Sequence, residues 1–418
     1  LSLDKIGCGS AKPALENFVF VCLCTRLSLS LYIDNRIRMK KFLVLLLLLP
    51  ATLWAQNTGK RYETVKDMPI YYEALRSELA YPAAWGISPE TDFDTWRVEA
   101  RALLLDCLDY IPDTTAFDYA IVATEQRDGY KAHRILLRIN KYVTVPAYLL
   151  IPDGNGPFPA VTVLHDHGAK FDIGKEKNVR PFAGDSALLA LSDSWAEKCY
   201  DGIYTGDFLA AHGYVVLAVD ALFWGERGRK EGARYSSQQA LAANLLQMGR
   251  SWCGIITADD IRGVEFLASL PFVDPARIGA VGFSMGAHRA WMLSAATDKV
   301  RATAAVCWMC TTDSLMTLTN NQNKGGSAYA MIVPRLRRYL DYPHVAAIAC
   351  PKPLLLINGR KDKLFPVAGV QEAYDYLRGV WQGRGVGERL ETSFYDTPHT
   401  FDAEMYRQVL SFLDRWLK

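Results

Sequence analysis

A chain of 418 residues, half of them apolar, has enough material for one large core or two modest ones. Its 47 basic and 45 acidic residues give a net charge of +2 and are interspersed, which excludes a basic stripe for nucleic acid.

The chain opens on residues 1–38, which do not begin with Met and are expected to be unstructured upstream read-through. Met39-Lys-Lys41, the apolar run Phe42–Leu49 and a small residue at Ala55 read as a signal peptide over 39–55, too short to span a bilayer comfortably. No cysteine follows the cut, so no lipid anchor is expected, and an exported location, periplasmic or extracellular, follows. Six cysteines remain after residue 55, too few over so long a chain for a disulfide scaffold. Cys307-Trp-Met-Cys310 has redox-motif spacing but ends an apolar strand, so it reads as strand-end packing.

Residues 56–117 read as a helical extension, a lid or a cap, with helical periodicity from Trp96 to Tyr110. The catalytic domain is expected over 118–418. Strand signals follow at Tyr130–Ile139, Val143–Ile151 and Pro159–Leu164, then a helix at Asp207–His212 and a strand at Tyr214–Asp220. A helix is expected over Asp259–Leu270, strands over Arg277–Gly282, Ala302–Cys307, Pro353–Asn358 and Leu390–Tyr395, and a last amphipathic helix over Phe401–Leu417. Strands alternating with helices predict an α/β fold with a mostly parallel sheet covered on both faces, the closely spaced first strands being antiparallel. Two stretches break the alternation, from Ala169 to about Thr205 and from Leu222 to about Gly254. Both leave the carboxyl ends of strands, where ligands bind in such sheets. They make Trp224, Glu226 and Arg227 candidates for substrate walls, together with His165 just upstream.

Gly282-Phe-Ser-Met-Gly286 is the most informative motif. A short apolar strand precedes it and a helix-forming stretch follows, so Ser284 is expected on a tight elbow. A serine hydroxyl becomes a nucleophile only beside a base, which needs a third group to orient it. Of the seven histidines, His399 alone lies late enough for the order serine, acid, histidine. Asp362, just past the strand ending near Asn358, supplies the acid; Asp396 competes but is too local to His399. The oxyanion needs two N–H donors, assigned to Met285 and, from the loop Leu164-His-Asp-His-Gly168, to His167. His165 and His167 could instead hold zinc, but no further His or Cys cluster accompanies them, so neither metal nor cofactor is expected.

These residues resemble the α/β-hydrolase superfamily from about Asp118 to Lys418. His165-Asp-His-Gly168, Asp220 with Trp224-Gly-Glu-Arg227, Val273–Gly286 and Thr397-Pro-His-Thr-Phe401 resemble its exported, Bacteroides-type acetyl xylan esterase-like group, related to dienelactone hydrolases. The resemblance implies a serine esterase with Ser284, Asp362 and His399 in the roles given. Departures narrow it: dienelactone hydrolases proper use cysteine, glucuronoyl esterases have arginine where this chain has Met285, and the β-propeller usual in prolyl-oligopeptidase-type peptidases has no room here. Ala169 stands where the group commonly has a second glycine. The expected function is a secreted carboxylesterase deacetylating plant-type polysaccharide or small esters, without nucleic-acid partner or lasting membrane anchor. The alternatives are a serine peptidase or amidase and a non-catalytic binding module on the same fold.

Overall fold

The computed structural model describes residues 64–65, 68–69, 71–228, 234–317 and 327–418. The expected leader and upstream segment lie outside the described residues. Residues from Thr64 to Lys418 form one compact unit.

Among the described residues, β1 (Thr64–Val65) pairs antiparallel with β2 (Met68–Pro69), and nine further strands make one sheet. They are β3 (Tyr119–Arg127), β4 (Tyr130–Arg138), β5 (Thr144–Pro152), β6 (Phe158–Leu164), β7 (Val215–Val219), β8 (Val273–Phe283), β9 (Ala302–Val306), β10 (Leu354–Gly359) and β11 (Leu390–Tyr395). Their order is β11-β10-β9-β8-β6-β7-β5-β4-β3. β3, β4 and β5 pair antiparallel, β5 pairs antiparallel with β7, and the six strands from β7 to β11 run parallel. This is the α/β architecture that the sequence predicts.

Side chains alternate between two apolar layers, as the two-residue period of a strand requires. Leu354 and Leu356 of β10 face one layer, with the helices Met285–Ala296 and Val367–Gly383. Leu355 and Ile357 face the other, with the helix Ala403–Leu417. The central strands are buried on both faces and so read as continuous apolar runs. β3 has no sequence signal of that kind: it is an edge strand whose side chains are exposed or half-buried, so its Thr124-Glu-Gln-Arg127 end is polar.

The extension contains a helix at Phe93–Cys107 that buries Phe93, Trp96, Ala100 and Leu104. Asp92 caps it, accepting the Thr95 N–H. Arg101 ties it to the Ala295 carbonyl and to Asp298, at the far end of the helix that begins beside Ser284.

Candidate active site

The parallel register brings the site together. Phe283 pairs with Val306, and Gly359 with Tyr395, so four strands end side by side. Ser284 follows β8 directly, with φ 56° and ψ −123°, a region that an L-residue enters only under strain. Its N–H donates to the Val306 carbonyl at 2.8 Å, which pins the turn to the neighbouring strand. Both flanking glycines are sterically required. A Cβ on Gly282 would lie 2.1 Å from the Gly286 carbonyl oxygen, and one on Gly286 would lie 1.8 Å from that of Leu164. The hydroxyl therefore stands at the start of the helix Met285–Ala296, at the positive end of its dipole.

Asp362 follows β10 and His399 follows β11. Gly359 lets the second loop close over the first, since a Cβ there would lie 2.4 Å from the Thr397 carbonyl oxygen. Arg360 and Lys361 donate their N–H groups to the carbonyls of Tyr395 and Thr397 and bind the loops together. His399 Nε2 stands 2.8 Å from Ser284 Oγ, and His399 Nδ1 2.6 Å from Asp362 Oδ2. A carboxylate only accepts, so the ring proton sits on Nδ1, and Nε2 is left to accept from the serine hydroxyl. Asp362 Oδ1 accepts the Leu364 N–H at 2.9 Å, which fixes the carboxylate. The Asp362 side chain is fully buried, whereas that of His399 keeps 24% of its exposure. Phe283 and Phe365 pack near the imidazole, with ring centroids at 4.8 and 6.1 Å. The sequence reading assigned neither ring. The structure thus brings Ser284, Asp362 and His399 into hydrogen-bonded sequence, and Asp396 pairs instead with Lys361.

The loop after β6 lies on the other side of the serine. Leu164 pairs with Gly282, so His165–Gly168 starts beside the elbow. Met285 is the first residue of its helix, where an N–H has no intrahelical acceptor. Among the described residues the His167 N–H is committed to no backbone carbonyl.

The substrate-wall reading of His165, Trp224 and Arg227 is corrected by their burial and bonding. His165 is fully buried; its Nε2 accepts the Ala221 N–H, so Nδ1 carries the proton and donates to the Asp166 carbonyl. Burial, with Arg289 and Lys177 nearby, holds its pKa well below the usual histidine value. Trp224 is fully buried too and donates its indole N–H to the His167 carbonyl. The Arg227 guanidinium bridges the Asp220 carbonyl and Asp259. Aromatic and cationic residues in an insertion read as a wall, but here Trp224 packs among His165, His167, Phe171 and Trp252, and Arg227 pairs with Asp259. Glu226 retains exposure, yet both its oxygens are engaged, by Lys175 and Arg134.

Among the described residues, two groups place metal-ligating atoms within 4.8 Å of one another: Cys307, Asp362 and His399, and Glu176, Asp220 and Glu226. In the second, the Lys175 ammonium sits among the carboxylates at 2.6–2.9 Å. Burial works against that charge, but the three carboxylates outweigh it and raise the lysine pKa well above its usual value. In the first, Cys307 is a buried free thiol that donates to the Thr400 carbonyl, behind the His399 loop. Burial, with Asp362 nearby, pushes its pKa far up, so it is a neutral prop. Cys310 is also free and buried, in keeping with strand-end packing.

A nine-stranded, mostly parallel sheet with a serine on a strand-to-helix elbow defines an α/β-hydrolase. The chain belongs to the Abhydrolase family, whose profile matches residues 74–379, and it is a hydrolase. It is 27% identical to YtaP of Bacillus subtilis (strain 168), a candidate hydrolase, over 322 residues that cover 77% of this chain and all of that protein. Among solved structures, it is similar to a candidate acetyl xylan esterase of Bacteroides fragilis, with a TM-score of 0.64 and 19% identity over 81% of this chain and 84% of that one. It is also similar to a glucuronoyl esterase from Solibacter usitatus, with a TM-score of 0.57 and 13% identity over 80% of this chain and 96% of that one. At these identities the two structures speak for the fold.

Proposed function

We propose that this protein is an exported serine carboxylesterase that removes acetyl groups from plant-type polysaccharide. The observation that carries the reading is the relay Ser284 Oγ–His399 Nε2 at 2.8 Å and His399 Nδ1–Asp362 Oδ2 at 2.6 Å. Ser284 Oγ attacks the ester carbonyl carbon while its proton passes to His399 Nε2. The resulting imidazolium is held by the buried Asp362 carboxylate. Charge develops on the carbonyl oxygen, where the Met285 and His167 N–H groups and the helix dipole favour it. The carbon–oxygen bond to the sugar then breaks, and His399 returns the proton to the leaving alkoxide. Water, deprotonated by the same imidazole, attacks the acetyl-serine; the bond from the acetyl carbon to Ser284 Oγ breaks, His399 returns the proton to Oγ, and acetate leaves. This chemistry uses no metal or cofactor.

The acetyl substrate is favoured by the resemblance of the pattern around His165–Gly168 and Trp224–Arg227 to the acetyl xylan esterase-like group. Met285, in place of arginine, speaks against a glucuronoyl ester. Export rests on the leader-like segment from Met39 to Ala55. The test is hydrolysis of p-nitrophenyl acetate and acetate release from a panel of acetylated glycans, with Ser284→Ala as control. Ser284→Ala is expected to lose at least about 10³-fold in kcat with an unchanged fold by circular dichroism. Retention of more than a few per cent of activity removes Ser284 as nucleophile; faster cleavage of aminoacyl amides makes the protein a peptidase.

A further inference from the structure

The loop that carries His167 is held by a buried cation. Lys177 has no exposed surface. Its Nζ lies 2.9 Å from the Asp166 carbonyl oxygen, 3.0 Å from the His167 carbonyl oxygen and 3.3 Å from Asp166 Oδ2. An ammonium has three N–H donors, so these three acceptors fix its direction. The Asp166 carbonyl also accepts from His165 Nδ1 at 2.9 Å. The Asp166 carboxylate is itself anchored, its Oδ1 accepting from the Tyr200 hydroxyl at 2.6 Å and from the Trp195 indole at 3.1 Å.

The Asp166 carbonyl and the His167 N–H are the two ends of one peptide group. In a planar trans peptide they point in opposite directions. A cation on the carbonyl therefore turns the N–H away from the buried side. It also draws electron density from the amide, and hydrogen bonds in such a chain strengthen one another. We propose that Lys177 is a positioning residue: its ammonium orients and polarises the Asp166–His167 peptide so that the His167 N–H is a strong, fixed donor to the oxyanion. This rests on the reading of Ser284 as an acyl-transfer nucleophile with His167 as a donor. What the proposal explains is the placement of a fully buried cation against this peptide. Burial pulls the Lys177 pKa below the usual lysine value, against the pull of Asp166.

Two variants test the proposal on p-nitrophenyl acetate. Lys177→Met keeps the hydrocarbon and removes the cation, leaving Asp166 buried without it. Asp166→Asn combined with Lys177→Met removes both charges. The double variant is expected to recover the thermal midpoint lost by Lys177→Met without recovering turnover. In each, kcat is expected to fall about tenfold to a hundredfold, less than or near the loss from deleting a whole oxyanion donor, with KM within about twofold. A boronic acid that forms a tetrahedral anion on Ser284 should lose affinity by the same factor. If Lys177→Met does not fold, the double variant decides. A folded double variant with kcat within about twofold of wild type overturns the positioning role, as does unchanged boronic-acid affinity. Retention of more than a few per cent of activity in Ser284→Ala overturns the underlying reading instead, so the two failures are distinguishable.

Discussion

The two sides of the site are held by different physics. On the side of Ser284, Asp362 and His399, backbone fixes the geometry. Glycines without room for a Cβ, a strained φ and main-chain bonds to adjacent strands set the loops, and neutral rings pack the imidazole. On the side of His165–Lys177, buried charge fixes it. Lys177 clamps the loop backbone, and Lys175 gathers Glu176, Asp220 and Glu226. Steric constraint is local and indifferent to solvent. An ion cluster is long-range and costs desolvation that only complete pairing offsets. The first side therefore fails when a methyl group is added, the second when one partner is removed.

Gly286→Ala is the sharpest way to break the steric side. The added Cβ would lie 1.8 Å from the Leu164 carbonyl oxygen and 3.1 Å from that of His165, both backbone atoms that cannot rotate away. Either the elbow or the loop after β6 must move. The expected loss exceeds about 4 kcal/mol, enough to abolish soluble expression or lower the urea midpoint drastically. A variant with wild-type stability would mean that the close approach of helix and strand is not what shapes the turn.

Lys175→Met is the matching break on the charged side. It leaves the fully buried carboxylates of Glu176 and Asp220 without their ammonium. Removing one partner of a buried cluster costs about 3–5 kcal/mol, read as a shift in urea unfolding. Adding Asp220→Asn should recover part of that loss, because it removes one uncompensated charge. A loss below about 1 kcal/mol for Lys175→Met alone would show that water reaches the cluster and that charge does not anchor this side.

The same contrast explains what the sequence makes legible. The elbow is read easily because its requirements are local: a strand, two glycines around a serine and a helix occupy consecutive residues. Asp362 and His399 follow from chain order and from their places after β10 and β11. The charged side is opaque because its partners are remote in the chain. Lys175 meets Asp220 45 residues away, and Arg134 meets Glu226 92 residues away. A lysine or tryptophan in an insertion carries no sign of whether it faces solvent or closes a cluster, so Trp224 reads as a wall although it is fully buried. The alternating pattern located most of the sheet but passed over β3, because an exposed edge strand needs no apolar period. The helix Ser186–Cys199 lies inside the first insertion and was equally silent.

The smallest expected effect lies where the two sides meet. Gly168 and Ala169 both adopt positive φ, 58° and 51°, at the end of the loop that Lys177 clamps. For alanine the left-handed region costs about 1–2 kcal/mol, whereas glycine enters it freely. Against that gain, glycine makes the unfolded chain more flexible by about 0.4–1 kcal/mol. Ala169 is exposed, so the exchange leaves no cavity. Ala169→Gly is therefore expected to change stability by no more than about 1 kcal/mol, in the stabilising direction. In a chain of this size that is a rise of roughly 1–2 °C in the thermal midpoint. Because the clamp on the Asp166–His167 peptide is untouched, kcat on p-nitrophenyl acetate should stay within about twofold of wild type. A larger fall in kcat would mean that backbone strain at Ala169, and not the buried cation alone, holds the loop, and the division between a steric side and a charged side would have to be redrawn.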